Sequence, residues 1–149
     1  MINKNDFTGK AFSAIEHAVR IAGELGHTFV GTEHMVYGLV CESSGIAAAI
    51  LENHGITEQL ILEYLRRKIG SGIPYALSED DTTPHLDDIL LTAAENSRKS
   101  GAALTGTEYI LSAILEYRTS GGYALISSIC GDTEIIKSEC RRVFTGAPV

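Results

Sequence analysis

An all-α fold of eight helices, arranged as two four-helix repeats about a pseudo-twofold axis, is what the sequence predicts, and three observations predict it. Apolar residues recur at three- and four-residue spacing along the chain, which places them on one face of a helix. No run alternates apolar and polar residues as a half-buried strand would. The motif Gly31-Thr32-Glu33-His34 returns as Gly106-Thr107-Glu108-Tyr109, an offset of 75 residues. Self-similarity at a fixed spacing marks a duplicated supersecondary unit.

The first helix is expected from about Thr8 to Leu25, with Phe12, Ile15, Val19 and Ala22 on its buried face. Thr8 is its N-cap and Gly26 its C-cap, because a hydroxyl satisfies an orphan amide at one end and glycine adopts the left-handed conformation at the other. A second helix opens at a capping Thr32 and carries Met35, Val36, Leu39 and Val40 inward, until Ser44-Gly45 breaks it. The third runs from Ile46 to His54 and stops at Gly55. Thr57 caps the fourth, whose stripe is Leu60, Ile61, Tyr64 and Leu65; Arg66, Arg67 and Lys68 in its last turn complement the helix dipole.

The stretch 71–82 mixes turn formers with a short acidic run and has no helical stripe, so it reads as a linker between a first repeat over about 7–70 and a second over about 83–146. Thr83-Pro84 opens the fifth helix with a cap and with the residue best tolerated at the first helical position. Its stripe is Leu86, Ile89, Leu90, Ala93 and Ala94, ending before Gly101. Thr107 opens the sixth, which carries Ile110, Leu111, Ile114 and Leu115. Gly121-Gly122 precedes the seventh, which ends at Gly131, and Thr133 caps the eighth, through Ile135, Ile136, Cys140 and Phe144. Gly45 and Gly121 are 76 apart, which predicts one inserted residue between the sixth and seventh helices.

With 149 residues, 44% hydrophobic and 21% charged, three Pro and no Trp, the chain fits one ordinary globular domain. Its formal net charge of −7 argues against a nucleic-acid partner, whose phosphates call for clustered Lys and Arg. Cys41, Cys130 and Cys140 are odd in number and lack CxxC spacing, so neither a disulfide framework nor a zinc ribbon is expected. A reducing cytoplasm is the expected location. Met1-Ile2-Asn3-Lys4-Asn5-Asp6 has no apolar run, and no later stretch approaches a membrane span.

The run Gly26 to Val40, the following Gly45-Ile46-Ala47 and the second copy's Thr83-Pro84 and Gly106-Thr107-Glu108 resemble the Clp N-terminal repeat domain, most nearly that of the ClpC-type AAA+ unfoldases. The resemblance runs from about Phe7 to Gly146. The second copy departs from the pattern at Tyr109, where His is usual, at Ala113, where Gly is usual, and at Gly121-Gly122-Tyr123. The resemblance implies a recognition module that receives protein substrates and adaptors for a hexameric Clp ring, in covalent linkage or in trans, and that is monomeric when isolated. It further implies two repeat-related sites for phosphoarginine on tagged proteins, with Glu33 and Glu108 taking the guanidinium.

The chemistry of that ligand fits the residues. A planar cation joined to an anion needs a carboxylate for bidentate pairing and N–H donors for the phosphate. Helix N-termini supply such donors, because their first amides have no intrahelical partner. Glu33 and Glu108 follow Thr32 and Thr107, and the capping Thr8 and Thr83 mark two further helix starts that can furnish amides or hydroxyls. Against this stands a plain alternative, that an acidic residue in a first turn is favoured by the dipole anyway, by about 0.3–1 kcal/mol. For the threonines, capping alone is a sufficient role.

No catalytic constellation is expected. The five histidines show no HExxH or paired spacing on one face, so no metal or other cofactor is expected, and Cys130 and Cys140 read as small buried hydrophobes. No GxxxxGK[ST] occurs, so ATP hydrolysis would belong to an associated ring. Two alternatives to a domain of a ClpC-like unfoldase remain: a freestanding accessory protein that modulates the Clp ring, and a small hydrolase of phosphoarginine.

Overall fold

The computed structural model describes residues 3–145, so the expected end of the second repeat near 146 lies outside the described residues. Within them, eight α-helices follow one another: α1 (Gly9–Glu24), α2 (Thr32–Glu42), α3 (Ile46–Asn53), α4 (Glu58–Lys68), α5 (Pro84–Lys99), α6 (Thr107–Glu116), α7 (Gly121–Cys130) and α8 (Thr133–Thr145). The all-α expectation is met, with no strand longer than an isolated bridge among these residues. Two 3-10 turns, Lys4–Asp6 and Glu79–Asp81, precede α1 and α5. The second of them lies inside the stretch expected as a linker and stands 75 residues after the first.

Every α-helix of the second set starts 75 residues after its counterpart, α7 and α8 included. The insertion expected between the sixth and seventh helices is therefore absent. The N-cap of α7 is Ser120, whose Oγ accepts from the Tyr123 amide at 3.1 Å, and Gly121 is already helical. The N-cap of α3 is Gly45, the counterpart of Ser120 rather than of Gly121. The two glycine signals misled because one marks a cap and the other a first helical residue. Helix α7 does run longer, ten residues against eight for α3. The turn after it is shorter by two, so α8 keeps the register. Asp132, not Thr133, caps α8, its Oδ1 accepting from the Glu134 amide at 3.1 Å.

The core follows from the polarity of the helices. In α2 every residue from His34 to Val40 is buried, and in α6 every residue from Tyr109 to Leu115. A helix apolar on all sides belongs in an interior. The longer α1 and α5 are amphipathic and cover α2 and α6 with one face each, that of α1 being Ala11, Ala14, Ile15, Ala18 and Ala22. Helix α3 leaves α2 at 98°.

Alanines on α1 and Gly38 on α2 let the two backbones approach closely. A Cβ at Gly38 would stand 2.1 Å from the Ala14 carbonyl oxygen, a backbone atom that cannot move aside. The stretch after α4 runs back over the end of α1, where the amides of Gly72 and Tyr75 donate to the carbonyls of Leu25 and Gly23, each at 2.8 Å.

The halves are joined by an exchange. Phe7, just before α1, pairs in parallel with Thr105, just before α6; Thr82, just before α5, pairs in parallel with Val30, just before α2. In the first bridge the Thr8 amide donates to the Thr105 carbonyl at 3.0 Å and the Thr105 amide to that of Asp6 at 2.8 Å. In the second, the Thr83 and Val30 amides donate to the Val30 and Asp81 carbonyls, each at 2.9 Å. All positions correspond at an offset of 75. The approach to each repeat's first helix thus pairs with the approach to the other repeat's second helix, as a pseudo-twofold relation requires.

Gly38→Ala is expected to destabilise the fold by about 1–3 kcal/mol through overpacking at the α1–α2 crossing. Gly9→Ala, where an added Cβ meets nothing within 4 Å, should stay within about 0.5 kcal/mol of wild type. Urea unfolding of both variants checks the contrast, and equal stabilities would refute the close-packed crossing.

Candidate functional site

Two clefts form where the exchange brings helix starts together. The first, of about 440 Å³, is lined by Gly31, Thr32 and Glu33 from the start of α2, by Thr83, Pro84 and His85 from the start of α5, and by Gly121 of α7, with Phe29 as an apolar wall. The second, of about 320 Å³, is lined by Gly106, Thr107 and Glu108 of α6, by Thr8 and Lys10 of α1, and by Gly45 and Ile46 of α3, with Leu104 as its wall. At an offset of 75, seven of the eight residues lining the first cleft have their counterpart in the second, Pro84 being the exception. Each cleft is composite: one repeat gives a carboxylate-bearing helix start, and the other gives two more helix starts.

All six residues singled out in the sequence lie at these clefts, Glu33, Thr32 and Thr83 at the first and Glu108, Thr107 and Thr8 at the second. Thr8 and Thr83 cap as expected, their Oγ1 atoms accepting from the Ala11 and Leu86 amides at 3.1 and 3.2 Å.

Thr32 and Thr107 do not cap their own helices. Gly31 and Gly106 occupy those cap positions and make no side-chain cap. Thr32 Oγ1 instead accepts from the Gly122 amide of α7 at 2.8 Å, and Thr107 Oγ1 accepts from the Ala47 amide of α3 at 3.2 Å. Each buried threonine satisfies an orphan amide of the opposite repeat. The correction has a simple cause: a threonine at a helix start caps whichever helix end packs against it, and here that end is 90 or 60 residues away.

The carboxylates take different seats. Glu33 reaches across to α7, where a Cβ built on Gly121 would lie 2.3 Å from Oε2, and its Oε1 accepts from the Thr32 hydroxyl at 3.4 Å. Glu108 turns back over its own cap, where a Cβ on Gly106 would lie 2.3 Å from Oε1. Lys10 stands at the second cleft and donates from Nζ to the Ser44 carbonyl at 3.1 Å; His85 takes the corresponding place at the first.

Behind the first cleft lies a pair of histidines that sequence spacing did not bring together. The Gly31 amide donates to His34 Nδ1 at 2.9 Å, which leaves the proton of the neutral ring on Nε2. That nitrogen faces His27 Nδ1 at 2.7 Å, and His27 Nε2 in turn faces the Gly70 carbonyl at 2.7 Å. Donors and acceptors alternate only if both rings are neutral. Burial, and secondarily the nearby His27, pushes the His34 pKa down to about 4. The relay ties the end of α1, the cap of α2 and the end of the first repeat into one unit, and Phe29 packs edge-on against His34 at 5.9 Å. The second repeat has Ala102 and Tyr109 at these positions, and Tyr109 stacks on Phe144 of α8 at 4.2 Å instead. The signal available in the sequence was a His three residues after a helix cap.

Among the described residues no three His, Cys, Asp or Glu side chains gather as a metal ion would need. Cys140 is buried, which pushes its thiol up to about 12, so it is held as the neutral thiol; Cys41 and Cys130 are half-buried.

A model of the family described as the Clp repeat (R) N-terminal domain matches residues 6–129. Among curated proteins, the chain is 31% identical over 137 residues to the chloroplastic chaperone protein ClpC1 of Oryza sativa subsp. japonica and, over the same length, to that of Arabidopsis thaliana. Each alignment covers 92% of this chain and 15% of the relative, so the chain spans about a seventh of the length of these relatives. Among solved structures, the N-terminal domain of ClpD from Arabidopsis thaliana superposes with a TM-score of 0.74 at 20% identity, covering 95% of this chain and 96% of that one. The Hsp104 N-terminal domain from Candida albicans gives 0.69 at 15% identity, covering 96% and 93%. These likenesses show the fold.

Two outcomes follow from the geometry. Thr32→Val strands the Gly122 amide and Thr107→Val the Ala47 amide, each expected to cost about 1–3 kcal/mol in chemical unfolding. His34 makes stability depend on pH. The unfolded ring takes its proton near 6.5 and the folded ring resists it until about 4, so stability is full above 6.5 and falls as pH drops towards 4, by up to about 3 kcal/mol. His34→Asn, whose amide oxygen can still accept from Gly31 but does not titrate, should lose that step in thermal unfolding. An unchanged step in the variant would refute the assignment.

Proposed function

The chain belongs to the Clp repeat (R) N-terminal domain family, and from that premise we propose that it is a non-catalytic recognition module of a ClpC-like protein unfoldase and protease system. It receives protein substrates and adaptors for a AAA+ Clp ring, whether joined to that ring or docking on it. In this reading each cleft takes a phosphoarginine side chain of a tagged protein, so that two tags on one substrate can engage the domain together.

One observation carries the reading: in each cleft a single carboxylate stands among helix starts contributed by both repeats. A guanidinium pairs with a carboxylate through two parallel N–H···O bonds, which a point cation does not do. The attached phosphoryl oxygens then turn to the opposite wall. There the dipole of α1 or α5 favours negative charge, and the donors that the Thr8 and Thr83 caps leave over are the Gly9 and Lys10 amides of α1 and the His85 amide of α5, since Pro84 has no N–H. The Thr8 and Thr83 hydroxyls accept from their helices and keep their own proton to give to a ligand oxygen. Lys10 adds a cation to the second cleft. The glycines at the caps of α2 and α6 leave room for the carboxylates, since a Cβ there would lie 3.0 Å from Glu33 Oε1 and 2.3 Å from Glu108 Oε1.

The exchange of caps also explains why such a site would be rigid. The helix starts that line a cleft are fixed by Thr32 or Thr107 across the repeat boundary, so little ordering remains to be done when a ligand enters.

Calorimetric titration with phosphoarginine tests the reading. The wild-type chain is expected to bind at two sites. Glu33→Ala and Glu108→Ala are each expected to remove one of them or to raise its Kd at least about tenfold, the loss of a charge-assisted pair of about 1.5–3 kcal/mol. Affinity unchanged in both variants would sink the assignment of the carboxylates. Release of inorganic phosphate on incubation would favour the hydrolase instead.

A further inference from the structure

We propose that Gly121 is a specificity-determining residue of the first cleft, and that it makes the two clefts unequal receivers of a guanidinium-bearing ligand. The inference rests on the reading of the clefts given above and concerns what distinguishes one from the other.

The two linings largely correspond at an offset of 75, yet the first residue of α7 is Gly121 and the first residue of α3 is Ile46. Ile46 is 40% exposed and lines the second cleft with its side chain. At the first cleft α7 puts no side chain of its own in that space, and the Glu33 carboxylate lies in it. A Cβ on Gly121 would fall 2.3 Å from Oε2, 2.4 Å from Cδ and 2.8 Å from Oε1 of Glu33, so any side chain there excludes the carboxylate from its seat. Glu108, denied the equivalent seat by Ile46, folds back over Gly106.

Three consequences follow for a ligand. The first cleft is roomier, about 440 Å³ against 320 Å³. Its carboxylate lies between its own helix start, with Oε1 3.0 Å from a Cβ built on Gly31, and the first residue of α7, so a guanidinium pairing with it is drawn towards α7. The amides of Gly122 and Tyr123 are already given to Thr32 and Ser120, so the first turn of α7 has donors committed to protein oxygens and presents the carboxylate rather than competing for the ligand's phosphate. The phosphate is left to the start of α5, where the Thr83 hydroxyl and the His85 amide remain as donors, Pro84 having no N–H and Leu86 being taken by Thr83. In the second cleft, Ile46 fills the corresponding depth and the guanidinium meets Glu108 nearer the mouth, beside Leu104. The first cleft is therefore the tighter receiver of the whole phosphoguanidinium.

Gly121 is not kept by backbone need. It is a first helical residue without a positive φ, a position that any L-residue adopts, and the atoms that a new side chain would meet are the far end of a flexible Glu. Gly121→Ile should fold, and its circular dichroism spectrum is the control.

The experiment is a titration of the isotopically labelled chain with free phosphoarginine, followed by NMR, in which the Glu33 and Glu108 amide signals report the two clefts separately. In the wild type the Glu33 signal should saturate at lower ligand concentration than the Glu108 signal. Gly121→Ile should weaken the Glu33 curve about tenfold and leave the Glu108 curve in place. Ile46→Gly should tighten the Glu108 curve and leave that of Glu33. Wild-type binding at both amides with the Glu33 curve unmoved in Gly121→Ile overturns this inference and leaves the two-cleft reading standing. No shift at either amide in the wild type overturns the two-cleft reading itself, and this inference with it.

Discussion

The structure depends on one reciprocal interaction. Thr32 of the first repeat closes the start of α7 in the second, and Thr107 of the second closes the start of α3 in the first. Helix starts leave amides without partners, and a buried helix cannot leave them to water. The Gly122 amide of α7 and the Ala47 amide of α3 find their acceptors across the repeat boundary. The paired bridges of Phe7 with Thr105 and of Val30 with Thr82 extend the same exchange along the backbone. Neither four-helix unit is complete alone. Removing one repeat would strand donors in the other, which is a physical reason for the duplication to persist as a pair within one chain.

The clefts are a by-product of that exchange. Because each repeat lends its helix starts to the other, three N-termini converge twice, and at each convergence a first-turn glutamate lies among the positive ends of helix dipoles. Charge of one sign is thus gathered by backbone geometry, and a single carboxylate of the opposite sign is set within it. A ligand that is cationic at one end and anionic at the other matches this arrangement; a simple cation or a simple anion matches half of it.

Duplication fixed the frame and left the furnishing free to diverge. The first repeat holds its α2 cap with a relay of two neutral histidines ending on Gly70, while the second fills the same volume with Tyr109 stacked on Phe144. The relay holds the turn before Glu33 through the Gly31 amide and needs neutral rings, whereas the ring contact in the second repeat joins α6 to α8. The glycine at 121 and the isoleucine at 46 diverge at the cleft wall itself, and there the difference moves a charge.

Period and punctuation were legible in the sequence: the eight helices, the 75-residue register of the first two helix starts of each repeat, the caps at Thr8, Thr57 and Thr83, and the two glutamates at corresponding helix starts. These rest on interactions within one or two turns of the chain, which local residue order specifies. Where local reading erred, as with Thr32 and Thr107 as caps of their own helices, Thr133 in place of Asp132, and an insertion before Gly121, the residue type was right for capping and the partner was wrong. The partner of a side chain 60 or 90 residues away is chosen by how the helices pack. Only the tertiary structure therefore decided which helix each threonine closes, that each cleft is built from both repeats, that His27 meets His34, and that a missing side chain at residue 121 gives the Glu33 carboxylate its seat.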